Sequence, residues 1–234
     1  MNYSNKILLS IFIICLFSAK SASQNNPYVD ERALHFGFFV GMNSADFGIR
    51  TAKTTFDGVK YAVADARLQP GFLVGVISDF RLHDYWNVRI NPSLQFVERE
   101  LTYKNLTSNE LTRQTILSVP LCLPVYLKYS SQRVGNYKPY LIGGVGAYYD
   151  LAHNEEKPIL LRPLDFYVEF GIGCDFYFSF FKLAPELKFA IGFNDVFTPL
   201  SQRKSGFFSE ADRKYSDMLS HLTSRMITLV FNFE

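Results

Sequence analysis

From Phe166 to Phe178 the chain alternates without a fault. Phe166, Val168, Phe170, Ile172, Cys174, Phe176 and Phe178 share one parity, and Tyr167, Glu169, Gly171, Gly173, Asp175 and Tyr177 share the other. Strand side chains point to opposite faces with period two, so a strand here is apolar on one face and carries charge and glycine on the other. The pattern recurs. Leu34, Phe36, Phe38, Val40 and Met42 oppose His35, Gly37, Phe39 and Gly41, and Phe72, Val74, Val76 and Phe80 oppose Gly75, Asp79 and Arg81. The cleanest repeat is Trp86–Val97, where Val88, Ile90, Pro92, Leu94 and Phe96 face away from Asn87, Arg89, Asn91, Ser93 and Gln95.

Four further strands follow. Over 117–129, Leu117, Val119, Leu121, Leu123, Val125, Leu127 and Tyr129 oppose Ser118, Pro120, Cys122, Pro124, Tyr126 and Lys128. Proline cannot donate to a ladder, so Pro120 and Pro124 predict a bulge or local irregularity. The stretch 139–149 reads as a strand, but Gly143, Gly144 and Gly146 leave its facing open. Leu183, Pro185, Leu187, Phe189, Ile191 and Phe193 oppose Glu186, Lys188, Gly192 and Asn194, and Ile227, Leu229, Phe231 and Phe233 oppose Ser224, Thr228 and Asn232.

Eight such strands predict an all-β fold. In a soluble eight-stranded barrel of lipocalin type the apolar face would turn inward. Here charge and glycine share one face in strand after strand, while the other face is continuously apolar and aromatic. A closed sheet with that outer surface is an antiparallel transmembrane β-barrel. The connections agree in kind: 43–70, 98–116, 150–165 and 195–223 are long, whereas 82–85, 130–138 and 179–181 are short. Outer-membrane barrels place long loops outside, short turns in the periplasm, and both termini on the periplasmic side.

The N-terminus carries Lys6, then an apolar run from Ile7 to Phe17, then small residues at Ser18, Ala19, Ser21, Ala22 and Ser23. This predicts a cleaved secretory signal peptide over 1–23, a short periplasmic segment over 24–33 and the barrel over 34–234. The apolar run is shorter than the roughly twenty residues a helix needs to span a bilayer. Cys122 and Cys174 then remain; by parity one points inward and the other outward, so no disulfide is expected. A net charge of +2 gives no nucleic-acid footprint. The 16% aromatic content suits the aromatic girdles of a barrel, so outer-membrane lipid is the expected surrounding.

The inward charges are Asp79, Arg81, Arg89, Lys128, Glu169, Asp175, Glu186 and Lys188. Acids and bases balance, which predicts an ion-pair network filling a lumen just wide enough for side chains. Glu169 and Asp175 lie about 20 Å apart along one strand, too far to share a substrate. An alanine at the lumen position Gly171 is expected to be milder than an arginine at Val168 or Phe170. His35, His83, His153 and His221 show no metal-ligand spacing, so neither metal nor cofactor is assigned. Some small outer-membrane barrels hydrolyse lipids with Ser and His at the outer rim, and His221 beside Ser220 and Ser224 mimics that pair. A polar junction between loop and strand is favoured, and no enzymatic activity or small-molecule substrate is assigned. In the last loop, Ser209 and Asp212 form a helix-capping arrangement, and Phe208, Ala211, Tyr215, Leu219 and Leu222 recur at three- and four-residue steps. They predict a short amphipathic helix that covers the barrel mouth or docks a partner.

Several segments together resemble the PorT family of outer-membrane barrels associated with type IX secretion in Gram-negative bacteria. They are Leu34-His35-Phe36-Gly37-Phe38-Phe39-Val40-Gly41 with Asp46-Phe47, Gln69-Pro70-Gly71-Phe72-Leu73-Val74-Gly75 with Arg81-Leu82, and Pro139-Tyr140-Leu141-Ile142-Gly143-Gly144. Glu169 to Tyr177, Glu186-Leu187-Lys188-Phe189 and the closing Phe231-Asn232-Phe233-Glu234 complete the likeness. The run Pro120-Leu121-Cys122-Leu123-Pro124 and Cys174 depart from it. The resemblance implies a non-enzymatic component or assembly factor of type IX secretion, needed to export cargo with C-terminal sorting domains. It implies other secretion-system proteins as partners. A generic small barrel for adhesion or envelope integrity is the alternative, and a lipid-modifying enzyme is a third reading.

Overall fold

The computed structural model describes residues 33–51, 55–56, 59–105, 111–152, 162–196, 198 and 219–234. The positions predicted as a signal peptide lie outside them. Eight barrel strands follow in chain order: β1 (Leu34–Thr51), β2 (Val59–Arg81), β3 (Trp86–Ile90 continued by Ser93–Asn105) and β4 (Leu111–Ser118 continued by Pro120–Ser130). β5 (Tyr137–Asp150), β6 (Leu164–Tyr177), β7 (Lys182–Gly192) and β8 (Leu219–Phe233) complete the wall. Each strand pairs antiparallel with the next, and β8 returns to β1, so the sheet is closed.

The register gives the stagger. Stepping straight across the ladder from Phe36 leads to Ser78, Ile90, Val125, Val145, Val168, Ile191, Arg225 and back onto β1 at Asp46. The circuit returns 46 − 36 = 10 residues higher. With a rise of about 3.3 Å per residue and strands about 4.8 Å apart, a shear of ten over eight strands tilts them by about 40°. Each residue along a strand then climbs about 2.5 Å, and each step across the ladder about 3 Å.

The alternation falls as the polar pattern dictates. Phe36, Phe38, Met42, Phe72, Leu123, Leu141, Phe166, Phe170 and Ile172 all stand at half exposure or more on the outer wall. On β6 that surface runs from Phe166 to Phe178, about 30 Å of height, against the roughly 25 Å apolar band of such barrels. Its lower edge is an aromatic girdle, in which Trp86 meets Tyr129 at 4.8 Å, Phe178 meets Phe181 at 5.0 Å and Phe38 stacks on Phe233 at 5.1 Å. On β5 the open question of facing resolves: Tyr140 and Ile142 are buried inside, while Leu141, Val145 and Tyr149 are exposed outside. Cys122 is buried and Cys174 half-buried, and neither forms a disulfide.

Three expectations are corrected. The first two connections expected as long loops are mostly strand. β1 continues to Thr51 and β2 begins at Val59, with a two-residue strand, Thr55–Phe56, folded back on Val59 and Lys60. β3 and β4 likewise run to Asn105 and from Leu111. Ladder pairing continues above the apolar belt because each extension finds a partner: Tyr61–Leu68 pair with Arg99–Asn105, and Val97–Lys104 with Leu111–Ser118.

The irregularity expected from the prolines sits elsewhere than at Pro124. β4 breaks at Val119, and the register through Pro124 is unbroken. Pro124 lies opposite the gap in β3 at Asn91-Pro92, where Asn91 donates to the Pro124 carbonyl at 3.3 Å. The missing proline N–H thus falls where β3 is itself interrupted, and the Pro92 carbonyl instead accepts from Val76 at 3.0 Å.

The predicted helix in the last loop is overturned at its C-terminal end. Leu219 and Leu222 belong to β8, paired with Thr51 and Ile49, and Leu222 is fully buried within the barrel. Strand continuation with β1 overrides the three- and four-residue periodicity there. Phe208, Ala211 and Tyr215 lie outside the described residues.

Candidate functional site: the lumen

The inward parity of β2 to β7, with the residue after β8, delivers ionisable groups to a buried interior, and burial of charge requires partners. Arg89, on β3, is the hub. Its Nε donates to Asp79 at 2.7 Å, its Nη1 to Glu186 at 2.9 Å and its Nη2 to Glu234 at 2.8 Å. These carboxylates come from β2, β7 and the residue after β8, so one guanidinium ties together four parts of the wall. Asn87 donates to the second Asp79 oxygen at 2.5 Å, and the Tyr140 hydroxyl donates to Glu186 at 2.7 Å.

Beside it, Lys128 donates to Asp175 at 2.9 Å and lies 3.8 Å from the centre of the Tyr140 ring. Lys182 reaches Glu234 at 2.5 Å and Asp175 at 3.9 Å, linking this group to the hub. Further toward the extracellular side, the Lys188 ammonium donates to the Tyr126 hydroxyl at 3.2 Å, and that hydroxyl in turn donates to Glu169. Lys188 also lies 3.9 Å from Glu169. Side chains of Arg89, Lys128, Asp79, Asp175, Glu186 and Glu234 are all at most 3% exposed.

Of the residues picked from sequence, the structure therefore brings Asp79, Arg89 and Glu186 into one cluster, Lys128 and Asp175 into a second, and Glu169 and Lys188 into a third. Arg81 does not join them. It has inward parity, but it sits at the strand end and pairs with Asp84 in the short turn at 2.6 Å. Sequence reasoning missed Lys182 and Glu234. Both carried a signal: Lys182 shares parity with Glu186 and Lys188, and Glu234 shares parity with Asn232.

Between and above the ion clusters the lumen is packed with apolar and aromatic groups. Phe39, Leu73, Ile77 and Val230 form one buried cluster, and Tyr126, Tyr140, Ile142 and Ala184 form another. Near the extracellular end a cavity of about 20 Å³ is bounded by Gln95, Arg99, Cys122, Tyr148, Tyr167 and Ser224. That is room for about one water molecule. Ser224, the serine paired with His221 in the lipid-hydrolase reading, is hydrogen-bonded to Tyr148 at 2.8 Å. Among the described residues no group of three His, Cys, Asp or Glu side chains has metal-binding geometry. Chemically, the arrangement fastens the wall together across its interior through side chains that are almost wholly out of solvent.

No curated protein matches the sequence. Among solved structures, Neisserial surface protein A is 9% identical, with a TM-score of 0.41 over 86% of this chain and 98% of that one. The outer membrane protein OprG from Pseudomonas aeruginosa is 14% identical, with a TM-score of 0.44 over 85% of this chain and 92% of that one. Residues 22–198 match the profile of the outer membrane protein β-barrel domain, and with well over half of its length covered the chain belongs to that family of outer-membrane barrels.

Proposed function

We propose that this outer-membrane barrel is a non-enzymatic accessory or assembly component of type IX secretion, needed for export of cargo with C-terminal sorting domains. The observation that carries the non-conducting part of this reading is Arg89 bound to Asp79, Glu186 and Glu234 across the lumen. A lumen closed by its own ion pairs has no passage for a polypeptide, so the protein works through its surfaces beside a larger channel. The surfaces available are the hairpins β1–β2 and β3–β4, which outlast the apolar belt, and the periplasmic turns. The secretion pathway itself rests on the PorT resemblance of the segments from Leu34 to Glu234. Delivery to the outer membrane follows removal of the signal peptide after Ser23.

A generic barrel for adhesion or envelope integrity has one observation in its favour: the β2–β3 and β3–β4 ladders extend outward, to Tyr61 opposite Asn105 and Lys104 opposite Leu111, as an adhesive surface would need. A clean deletion separates the two. With periplasmic, surface and medium proteomes measured, cargo with C-terminal sorting domains is expected to accumulate in the periplasm. Normal export of that cargo refutes the type IX reading and leaves the adhesion or integrity role. Replacing residues 201–221 with a short linker then locates the contact. Lost export from a normally inserted barrel places it outside the cell, and preserved export places it at the periplasmic turns around His83-Asp84 and Gln132-Arg133.

A further inference from the structure

The outer wall is not uniformly convex. Between β6, β7 and β8 lies a hollow of about 410 Å³, lined by Phe170, Phe189, Ile191 and Ile227, with Ala190 and Met226 at its floor. Phe170 is 50% exposed and Ile191 44%, so these side chains meet the membrane, with the Phe170 and Phe189 rings stacked at 6.0 Å along one side. The volume falls within the range of ligand pockets, roughly 300–1,000 Å³. At its rim stand Arg225 and, next to it in the β1–β8 ladder, Asp46.

Height decides what the hollow meets. Arg225 is seven ladder steps from Phe36, which places it about 20 Å above that residue. Phe166 and Tyr149, both about half exposed on the outer wall, stand at the same level by the same count. Aromatic residues at that level mark the membrane–water boundary. Arg225 is exposed, with its guanidinium beside Gly48 of β1. A guanidinium at the headgroup level above an apolar hollow in the hydrocarbon is complementary to one kind of occupant, a lipid with phosphate above its acyl chains. Arginine matches phosphate geometry with paired N–H donors.

We propose that the hollow between β6, β7 and β8 is a binding site for a phosphorylated lipid of the outer leaflet, with its phosphate on Arg225 and an acyl chain along Phe170, Phe189 and Ile227. The site is independent of the secretion role.

The test is retention of lipid by the purified full-length barrel in detergent, read by native mass spectrometry. The probes are dimyristoyl phosphatidic acid and dimyristoylglycerol, which share acyl chains and differ in the phosphate. The wild-type protein is expected to retain one phosphatidic acid per barrel and about tenfold less diacylglycerol, the difference one charged hydrogen-bonded contact makes. Arg225→Gln is expected to abolish that preference. Ile227→Trp, which fills the hollow and leaves Arg225 in place, is expected to lower retention of both lipids. Equal retention of the two probes by the wild type, a comparison that needs no variant, overturns the phosphate contact. Unchanged retention in Ile227→Trp overturns the hollow as the acyl site and leaves only non-selective attraction to headgroups.

Discussion

At the scale of single residues, the interior is governed by partners and not by charge alone. Arg89 has three carboxylates and no solvent, so its removal leaves Asp79, Glu186 and Glu234 buried together without their shared cation. Breaking a buried network from one side costs about 3–5 kcal/mol. Arg89→Ala is therefore expected to lower the denaturant midpoint of the detergent-solubilised barrel far more than Arg133→Ala. Arg133 sits in a periplasmic turn over the Tyr177 ring, and an exposed contact of that kind contributes about 1 kcal/mol or less. Equal midpoints for the two variants would show a hydrated interior. The glycines give a second contrast. A Cβ at Gly144 would fall 2.1 Å from the Val125 carbonyl oxygen, whereas at Gly143 nothing lies within 4 Å. Gly144→Ala is expected to cost about 1–3 kcal/mol through forced backbone shifts and Gly143→Ala close to nothing, read from the same unfolding curves. Alanine at Gly171, expected to be milder than arginine at Val168 or Phe170, carries crowding on the same ground. Its Cβ would meet the Leu187 carbonyl oxygen at 2.6 Å, so the neighbouring strand must move.

At the scale of elements, the facing of a strand was legible and its extent was not. Period two assigns Glu169 inward and Phe170 outward without reference to any other strand, and the structure agrees at both positions. How far β2 reaches, by contrast, depends on β3 offering pairing partners beyond the membrane, information absent from the local pattern. The same holds for Pro124, whose cost vanishes only because β3 is broken at Asn91-Pro92 opposite it. The lumen clusters were legible as a set of inward charges. Which acid meets which base follows from the shear, and no single strand encodes the shear. Depth on the outer face supplies a prediction for β6. Phe170 lies nearer the middle of the apolar belt than Phe166 does, by about 10 Å. An arginine at the midplane costs about 2–4 kcal/mol and near the boundary about 0–1. Phe170→Arg is thus expected to reduce the folded, heat-modifiable band in outer-membrane fractions, while Phe166→Arg inserts almost normally. Equal insertion of both variants would reverse the facing assigned to β6.

At the scale of the whole molecule, closure on the outside and closure on the inside are separate facts with separate causes. The β1–β8 ladder, from Phe38 opposite Phe233 upward, removes the last sheet edge, which the hydrocarbon would not tolerate unpaired. It fixes the strand number and shear, and an eight-stranded barrel has an interior only as wide as its side chains. Such a barrel still conducts if its lumen groups hold water instead of one another. Here the periplasmic half of the lumen carries Arg89, Lys128 and Lys182 against Asp79, Asp175, Glu186 and Glu234, each at most 9% exposed and joined through shared oxygens. An ion crossing that layer would have to displace at least one of these contacts, and the freed partner would remain buried and uncompensated, at a cost of about 3–5 kcal/mol. The purified protein in planar bilayers is therefore expected to show no sustained single-channel conductance at moderate voltage. Replacing Arg89 and Glu186 together by alanine removes the hub with one of its acids, opens volume and leaves polar lining that water can wet. Insertion of that double variant is expected to bring measurable conductance. Steady conductance in the unaltered barrel would mean that the ion pairs exchange with water on the timescale of permeation, and a role confined to the outer surfaces would then lose its physical basis.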